Sequence, residues 1–212
     1  MTPRVCSTPS SRRWPRRLPE AALAFALAAS SCVRALPPSP DVVRRAAALD
    51  SYSADLHVSV RGALRGGSRV LVAFRRPDAL RIEIPGPAGA RLVAVTCEGR
   101  LTAVLPGERA VLERPAAPAE MEALVGIPLA PAELMDLLVG VAPKGVRRYQ
   151  ARWGRELPTR IDAELQDGTR VTARVSDADA GGGVAGAAFD PPPHQGYRPV
   201  DADEARRLLG GR

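Results

Sequence analysis

Between residues 55 and 114 apolar residues recur at every second position. Leu56, Val58 and Val60 alternate with Asp55, His57, Ser59 and Arg61, and Leu80, Ile82 and Ile84 alternate with Arg81 and Glu83. Successive side chains on a strand point to opposite faces, so this period predicts strands with one buried face. From Arg69 to Arg75 both sets are apolar: Val70, Val72 and Phe74 on one side, Leu71 and Ala73 on the other. Such a strand needs cover on both faces and is expected in the middle of the sheet. Arg91–Glu98, Arg100–Leu105 and Ala110–Arg114 read as three further strands. Arg65-Gly66-Gly67-Ser68, Pro77-Asp78, the loop Pro85–Gly89, Glu98-Gly99 and Pro106-Gly107 mark the turns between them.

After residue 118 the period becomes helical. Ala119–Val125 carries Met121, Leu124 and Val125 at helical spacing. Pro131–Val139 opens with proline, ends at Gly140, and aligns Leu134, Leu137, Leu138 and Val141 in one stripe. Strands resume at Val146–Trp153, Thr159–Gln166 and Thr169–Ser176, the last two joined by Asp167-Gly168, and a final strand is expected over Val184–Phe189. Asp41 is expected to cap a first helix through Asp50. Asp201, three residues before Glu204, opens a last helix carrying Leu208 and Leu209.

This order of helix, six strands, two helices, three or four strands and helix predicts an α+β fold. One curved antiparallel sheet with helices covering its concave face satisfies it. The helices are few and short, which leaves room for an incompletely filled apolar cavity beneath them. A fully packed core satisfies the same pattern.

Residues 1–31 follow a different plan. Met1–Arg17 is rich in arginine and proline, Ala21–Ala29 is a short apolar core, and Ser30, Ser31 and Cys32 follow. A positive start, a short apolar stretch and small residues at a cleavage site define a secretory signal peptide. The apolar core is too short to cross a bilayer as a helix. Cleavage near Ala29, with Cys32 incidental, fits the same layout. Val33–Pro40 is a Pro-rich, extended tether. The chain thus divides into a leader (1–31), Cys32 with its tether (32–40) and one domain (41–212).

Charge matters here mainly through its distribution. Five arginines against one glutamate give the leader a net +4, which leaves +3 of the formal +7 for the rest. Arginine there alternates with aspartate and glutamate, and the whole chain holds only two Trp, three Tyr and three Phe. A nucleic-acid binder wants a basic patch interleaved with aromatics, so no nucleic-acid partner is expected. Two histidines and three scattered cysteines are too few for a zinc site of the usual spacing, and no metal or cofactor is expected. Cys6 lies in the leader, and Cys97 ends the strand-like run Leu92–Cys97. It is expected as a small buried hydrophobe without a disulfide partner. His57 and His194 are the first general-base candidates. Neither sits in a motif, and Gly-x-Ser-x-Gly, His-Glu-x-x-His and the P-loop are all lacking. Exposed polar positions suit both histidines better, and no enzyme is expected.

Leu27-Ala-Ala-Ser-Ser-Cys32 resembles the lipobox of bacterial lipoproteins, with Ala29 where leucine is more usual. The resemblance implies cleavage before Cys32 and acylation of its thiol and new amino terminus. At about 0.8 kcal/mol per buried CH₂, three chains hold a protein on a membrane essentially permanently. Val33 stands where aspartate marks inner-membrane retention, so the resemblance implies an outer-membrane, periplasm-facing anchor.

Leu124–Gly140 resembles the helical region of LolB-like outer-membrane lipoproteins, matching at Leu124, Gly126, Pro128, Leu134, Leu137, Leu138 and Gly140. Leu80–Val95 and Arg155–Ile161 resemble strand segments of the same family and of the related LolA-like carriers. The resemblance implies a half-open barrel with a helical lid over a cavity for acyl chains. It implies a protein that receives lipoproteins from a soluble LolA-like carrier and releases them into the outer membrane. No bond changes, so direction comes from differential affinity.

The candidate lining is Leu56, Val58, Val60, Val72, Phe74, Leu80, Ile82 and Ile84, with Leu134, Leu137 and Leu138 on the lid; ordinary core packing accounts for the same residues. Phe74, Tyr149, Trp153 and Phe189 are the aromatic candidates around it. Pro87-Ala88-Gly89 corresponds to the family's membrane-insertion loop, which carries a protruding leucine. Alanine at position 88 weakens that wedge by about 1–2 kcal/mol. The same fold could therefore serve as a lipid- or partner-binding structural lipoprotein of the envelope without insertion activity.

Overall fold

A computed structural model describes residues 37–61 and 65–210. The leader and Cys32 lie outside the described residues. Helix α1 (Pro40–Ala47) precedes six consecutive strands: β1 (Ser51–Arg61), β2 (Arg65–Arg75), β3 (Ala79–Gly86), β4 (Gly89–Cys97), β5 (Arg100–Leu105) and β6 (Ala110–Pro115). Helices α2 (Pro118–Val125) and α3 (Pro131–Leu138) follow. Next come β7 (Val146–Trp153), β8 (Pro158–Leu165) and β9 (Arg170–Ala180), then the two-residue β10 (Arg198–Pro199) and helix α4 (Ala202–Leu208). The ten strands form one curved, unclosed sheet in the order β10-β6-β5-β4-β3-β2-β1-β9-β8-β7.

The alternation in the sequence becomes rows of side chains across this sheet. Tyr52, Phe74, Leu80, Thr96 and Leu101 stand side by side on β1 to β5. Ala54, Val72, Ile82, Ala94, Ala103 and Leu112 form the next row, reaching β6. These rows share one face, and the buried side chains of α2 and α3 join them in a single core. The antiparallel registers bring the ends of three hairpins (β1–β2, β3–β4 and β8–β9) to one end of the sheet.

Three expectations need correction. The first helix begins and ends earlier than Asp41 and Asp50. Ser39 caps it, accepting from the Val42 N–H at 3.4 Å, while Asp41 lies in the first turn and pairs with Arg44. Residues 184–189 are not a strand; they include a 3₁₀ turn over Gly186–Phe189. Val184 and Phe189 pack on Ala79, Val93 and Val95, on the face opposite the helices, with Ala73 beside them. That crossing is the second cover that the doubly apolar β2 requires. The crossing carries the chain from central β9 to the far edge, where β10 pairs parallel with β6. Finally, Arg65–Ser68 is not a turn; it opens β2 and pairs with Val58–Arg61 of β1.

Both edges of the sheet are modest. Edge strand β7 exposes Arg147, Arg148 and Arg152, and β10 is two residues long with a proline.

Candidate functional site

A cavity of about 220 Å³ lies between the helix-facing side of the sheet and α2, α3 and α4. Leu56, Val58 and Val60 of β1, Val72 of β2, and Leu80, Ile82 and Ile84 of β3 line its sheet side. Leu134, Leu137 and Leu138 line its helix side. Ten of the eleven candidate lining residues are thus brought together. Phe74 is the exception, being wholly buried at the closed end and stacked on Tyr52 with ring centroids 5.4 Å apart. Burial there raises the Tyr52 phenol to about 12 and pushes that of Tyr149 up as well.

Depth varies along the strands. Leu56 and Leu80 are each 1% exposed, while Val58, Val60, Val70 and Ile84 are half-buried and Ser68, Arg91 and Gly210 are exposed. The cavity therefore opens at the hairpin end. The Pro87-Ala88 turn of the β3–β4 hairpin is exposed at that same end.

The helices are held over the sheet by local chemistry. Gly126 ends α2 at φ 73°, in the left-handed region where glycine carries no Cβ penalty. Glu133, in the first turn of α3, accepts from the Ala130 N–H at 3.1 Å and from the Gly145 N–H at 3.2 Å. One carboxylate thus caps the helix and ties it to the segment leading into β7. Asp136 of α3 pairs with Arg76 at 2.8 Å, joining the helix to the β2–β3 turn. Gly140, at φ 91°, lies so close to Trp153 that a Cβ would sit 2.4 Å from the ring. Trp153 therefore braces the end of α3 instead of facing the cavity.

None of the four aromatic candidates lines the cavity, and the apolar part of its wall is aliphatic. Phe189 is on the opposite face under the Arg75 guanidinium, and Phe74, Tyr149 and Trp153 belong to the packed core around the cavity. Sequence reasoning missed several lining residues. Val70, Val171, Ala173 and Ile161 share the face of their predicted neighbours, so the alternation could have named them. Arg91 and Arg206 also line the cavity, and nothing in the local pattern marks them.

Other candidates lie elsewhere. Cys97 is exposed rather than buried, because β4 ends there at the turn into β5. His194 sits in the loop before β10, with Nδ1 2.8 Å from the Pro192 carbonyl and Nε2 3.6 Å from Glu113. His57 is exposed on the outer face, in a cross-strand row with Arg69, Arg174 and Arg160. Asp55 and Asp162 partly neutralise that row, and hydrogen bonds from Arg69 and Arg160 hold their carboxyls below the usual carboxylate range. Among the described residues no helix is long and apolar enough to cross a membrane.

Neither a protein-family model nor a curated protein matches the sequence. Among solved structures, an uncharacterized conserved protein from Thermus thermophilus is similar at 12% identity and TM-score 0.45, over 76% of this chain and 94% of that one. A DUF1329 family protein from Desulfovibrio piger is similar at 13% identity and TM-score 0.40, over 74% and 97%. An outer membrane lipoprotein-sorting protein domain from Vibrio parahaemolyticus is similar at 8% identity and TM-score 0.38, over 71% and 95%. Likenesses this distant do not say what this chain binds.

Proposed function

We propose that the protein is a lipid-anchored protein of the bacterial outer membrane that takes an acyl chain into the cavity under α2, α3 and α4. The observation that carries this reading is the aliphatic cavity, open at the end of the sheet where the β3–β4 hairpin projects. An apolar cavity of about 150 Å³ holds a six-carbon ring, so 220 Å³ admits roughly nine carbons of one chain. Nine methylenes at about 0.8 kcal/mol each give about 7 kcal/mol of gross gain on leaving water. The same chain gains as much per methylene in a bilayer. Exchange between cavity and membrane is then nearly balanced, which suits a carrier that makes and breaks no bond. The address at Cys32 and the LolB-like segment Leu124–Gly140 make lipoprotein acyl chains the first cargo, received from a soluble LolA-like carrier.

Two observations favour a second reading, in which the cavity holds a free lipid and inserts nothing. The exposed tip residue is Ala88, a poor membrane wedge, and the cavity has room for part of one chain. The first experiment is intact mass and lipid content of membrane-extracted protein, beside uptake of acylated lipoprotein by a soluble form starting at residue 33. Acyl groups on Cys32 with lipoprotein uptake support the receptor. Acylation with uptake of free lipid alone supports the second reading. An unmodified Cys32, or a soluble form that takes up neither, refutes the proposal.

A further inference from the structure

The cavity wall carries two charges, both positive. Arg91 of β4 and Arg206 of α4 line it, and no carboxylate does among the described residues. Arg91 starts on the strand next to the exposed hairpin. Its stem lies across Gly86, where a Cβ would come within 2.6 Å of the Arg91 Cγ. Its Nη2 donates to the Leu209 carbonyl at 2.9 Å, which draws the guanidinium over the mouth toward the end of α4. Arg206 is half-buried, and its Nε is shielded from solvent without a hydrogen-bond partner. Neither arginine forms a salt bridge among the described residues, although nine ion pairs occur elsewhere in them. Glu120, on α2 packed against α4, also has a buried oxygen without a partner, but it does not line the cavity and forms no ion pair with Arg206.

A buried guanidinium nitrogen without an acceptor is costly, and an anionic oxygen is the partner that best relieves it. An arginine fork also matches carboxylate and phosphate geometry, which a lone ammonium does not. We infer that the occupant of the cavity is a single-chain amphiphile with an anionic oxygen headgroup, its tail among Leu56, Val72, Leu80 and Leu134 and its headgroup between Arg91 and Arg206. This rests on the second reading above, in which the cavity holds a free lipid, and names the class of that lipid. The headgroup distinguishes such a ligand from the uncharged thioether-linked diacylglycerol of a lipoprotein. Carboxylate and phosphate monoester share the required chemistry.

The test uses the full chain carrying Cys32→Ser, so that its own acyl groups do not compete. Nonanoic acid, whose chain matches the room in the cavity, is titrated by calorimetry beside its uncharged methyl ester and beside nonyl phosphate. The acid is expected to bind about ten- to a hundredfold more tightly than the ester at low salt, the range of a charge-assisted hydrogen bond. In the Arg91→Gln/Arg206→Gln variant that preference falls below about threefold while ester binding persists. Arg91→Lys/Arg206→Lys restores part of it, which separates lost charge from lost folding. Tighter binding of nonyl phosphate than of nonanoic acid names phosphate as the headgroup, and the reverse names carboxylate; either supports the inference. Equal affinity for acid and ester in the parent chain overturns it, as does a preference that survives the double Gln variant. Binding of the ester without preference leaves the acyl-chain cavity standing, whereas binding of no probe removes the cavity reading itself.

Discussion

Replacing Ala173 by isoleucine separates an open cavity from a filled core by the sign of its effect. Ala173 lies on β9 between Val58 of β1 and Ile161 of β8, is 6% exposed, and shares the cavity wall with both. Isoleucine adds three carbons and, being branched at Cβ, suits a strand. If those carbons enter empty space, they gain about 0.8 kcal/mol each, about 2.4 kcal/mol in all. For a domain of this size that raises Tm by roughly 5–10 °C. They also take about a third of the room available to a chain. A ligand that loses three methylenes of burial loses about the same 2.4 kcal/mol, which weakens uptake roughly fiftyfold. In a packed core the same change costs about 1–3 kcal/mol by overpacking and has no uptake to affect. Urea or thermal unfolding reads the first quantity, and titration with a fluorescent fatty acid reads the second. A lower Tm together with unchanged uptake would falsify the open-cavity argument.

Gly140→Ala should destabilise the fold by about 2–4 kcal/mol in urea titrations, because the new Cβ meets the Trp153 ring at a left-handed backbone position; a neutral result would mean the α3–β7 contact is loose. The Tyr52 phenol, raised by burial from 10.0 to about 12, stabilises the fold fully below pH 10 and loses that contribution as pH rises toward 12, about 3 kcal/mol in total. Phenolate absorbance should therefore lag behind that of an unfolded control, and coincident curves would place Tyr52 in water. Ala88→Leu should strengthen binding of the soluble domain to lipid vesicles by about 1–2 kcal/mol, roughly tenfold in sedimentation assays; no change would show that this hairpin tip does not meet the bilayer. Cys97, exposed at the end of β4, should react with maleimide in the folded protein, and protection until unfolding would contradict its placement.

The strands and the lining of the cavity are legible together because one alternation encodes both. Leu56, Val58 and Val60 announce a strand and, by the same token, a shared face. Alternation names the face but not the depth along it, and so it groups Phe74 with its cavity-lining neighbours although that ring closes the bottom of the core. Residues 184–189 carry apolar side chains with no strand to pair with. Their role depends on the crossing from β9 to β6, which local pattern does not contain. Cys97 fits a strand by composition, and only the position of the turn decides that it faces water. The two arginines of the cavity wall are 115 residues apart in sequence and reach one cavity only because the end of α4 returns to β4. The outer row of His57, Arg69, Arg174 and Arg160 likewise depends on strand register, which brings the arginines of β2, β9 and β8 into line with the histidine of β1.

A sheet that does not close leaves two rows of backbone amides without a neighbour, and such rows template the growth of fibrils. At one end β7 meets solvent with Arg148 and Arg152, whose like charges repel an identical strand laid alongside, and with Arg147, which pairs with Glu164. At the other, β10 offers two residues, and Pro199 has no N–H to give. The mouth of the cavity is thus separated from the edges that would admit another copy. Concentrated stocks should stay free of cross-β aggregates, and neutralising Arg148 and Arg152 is the change most apt to bring them on.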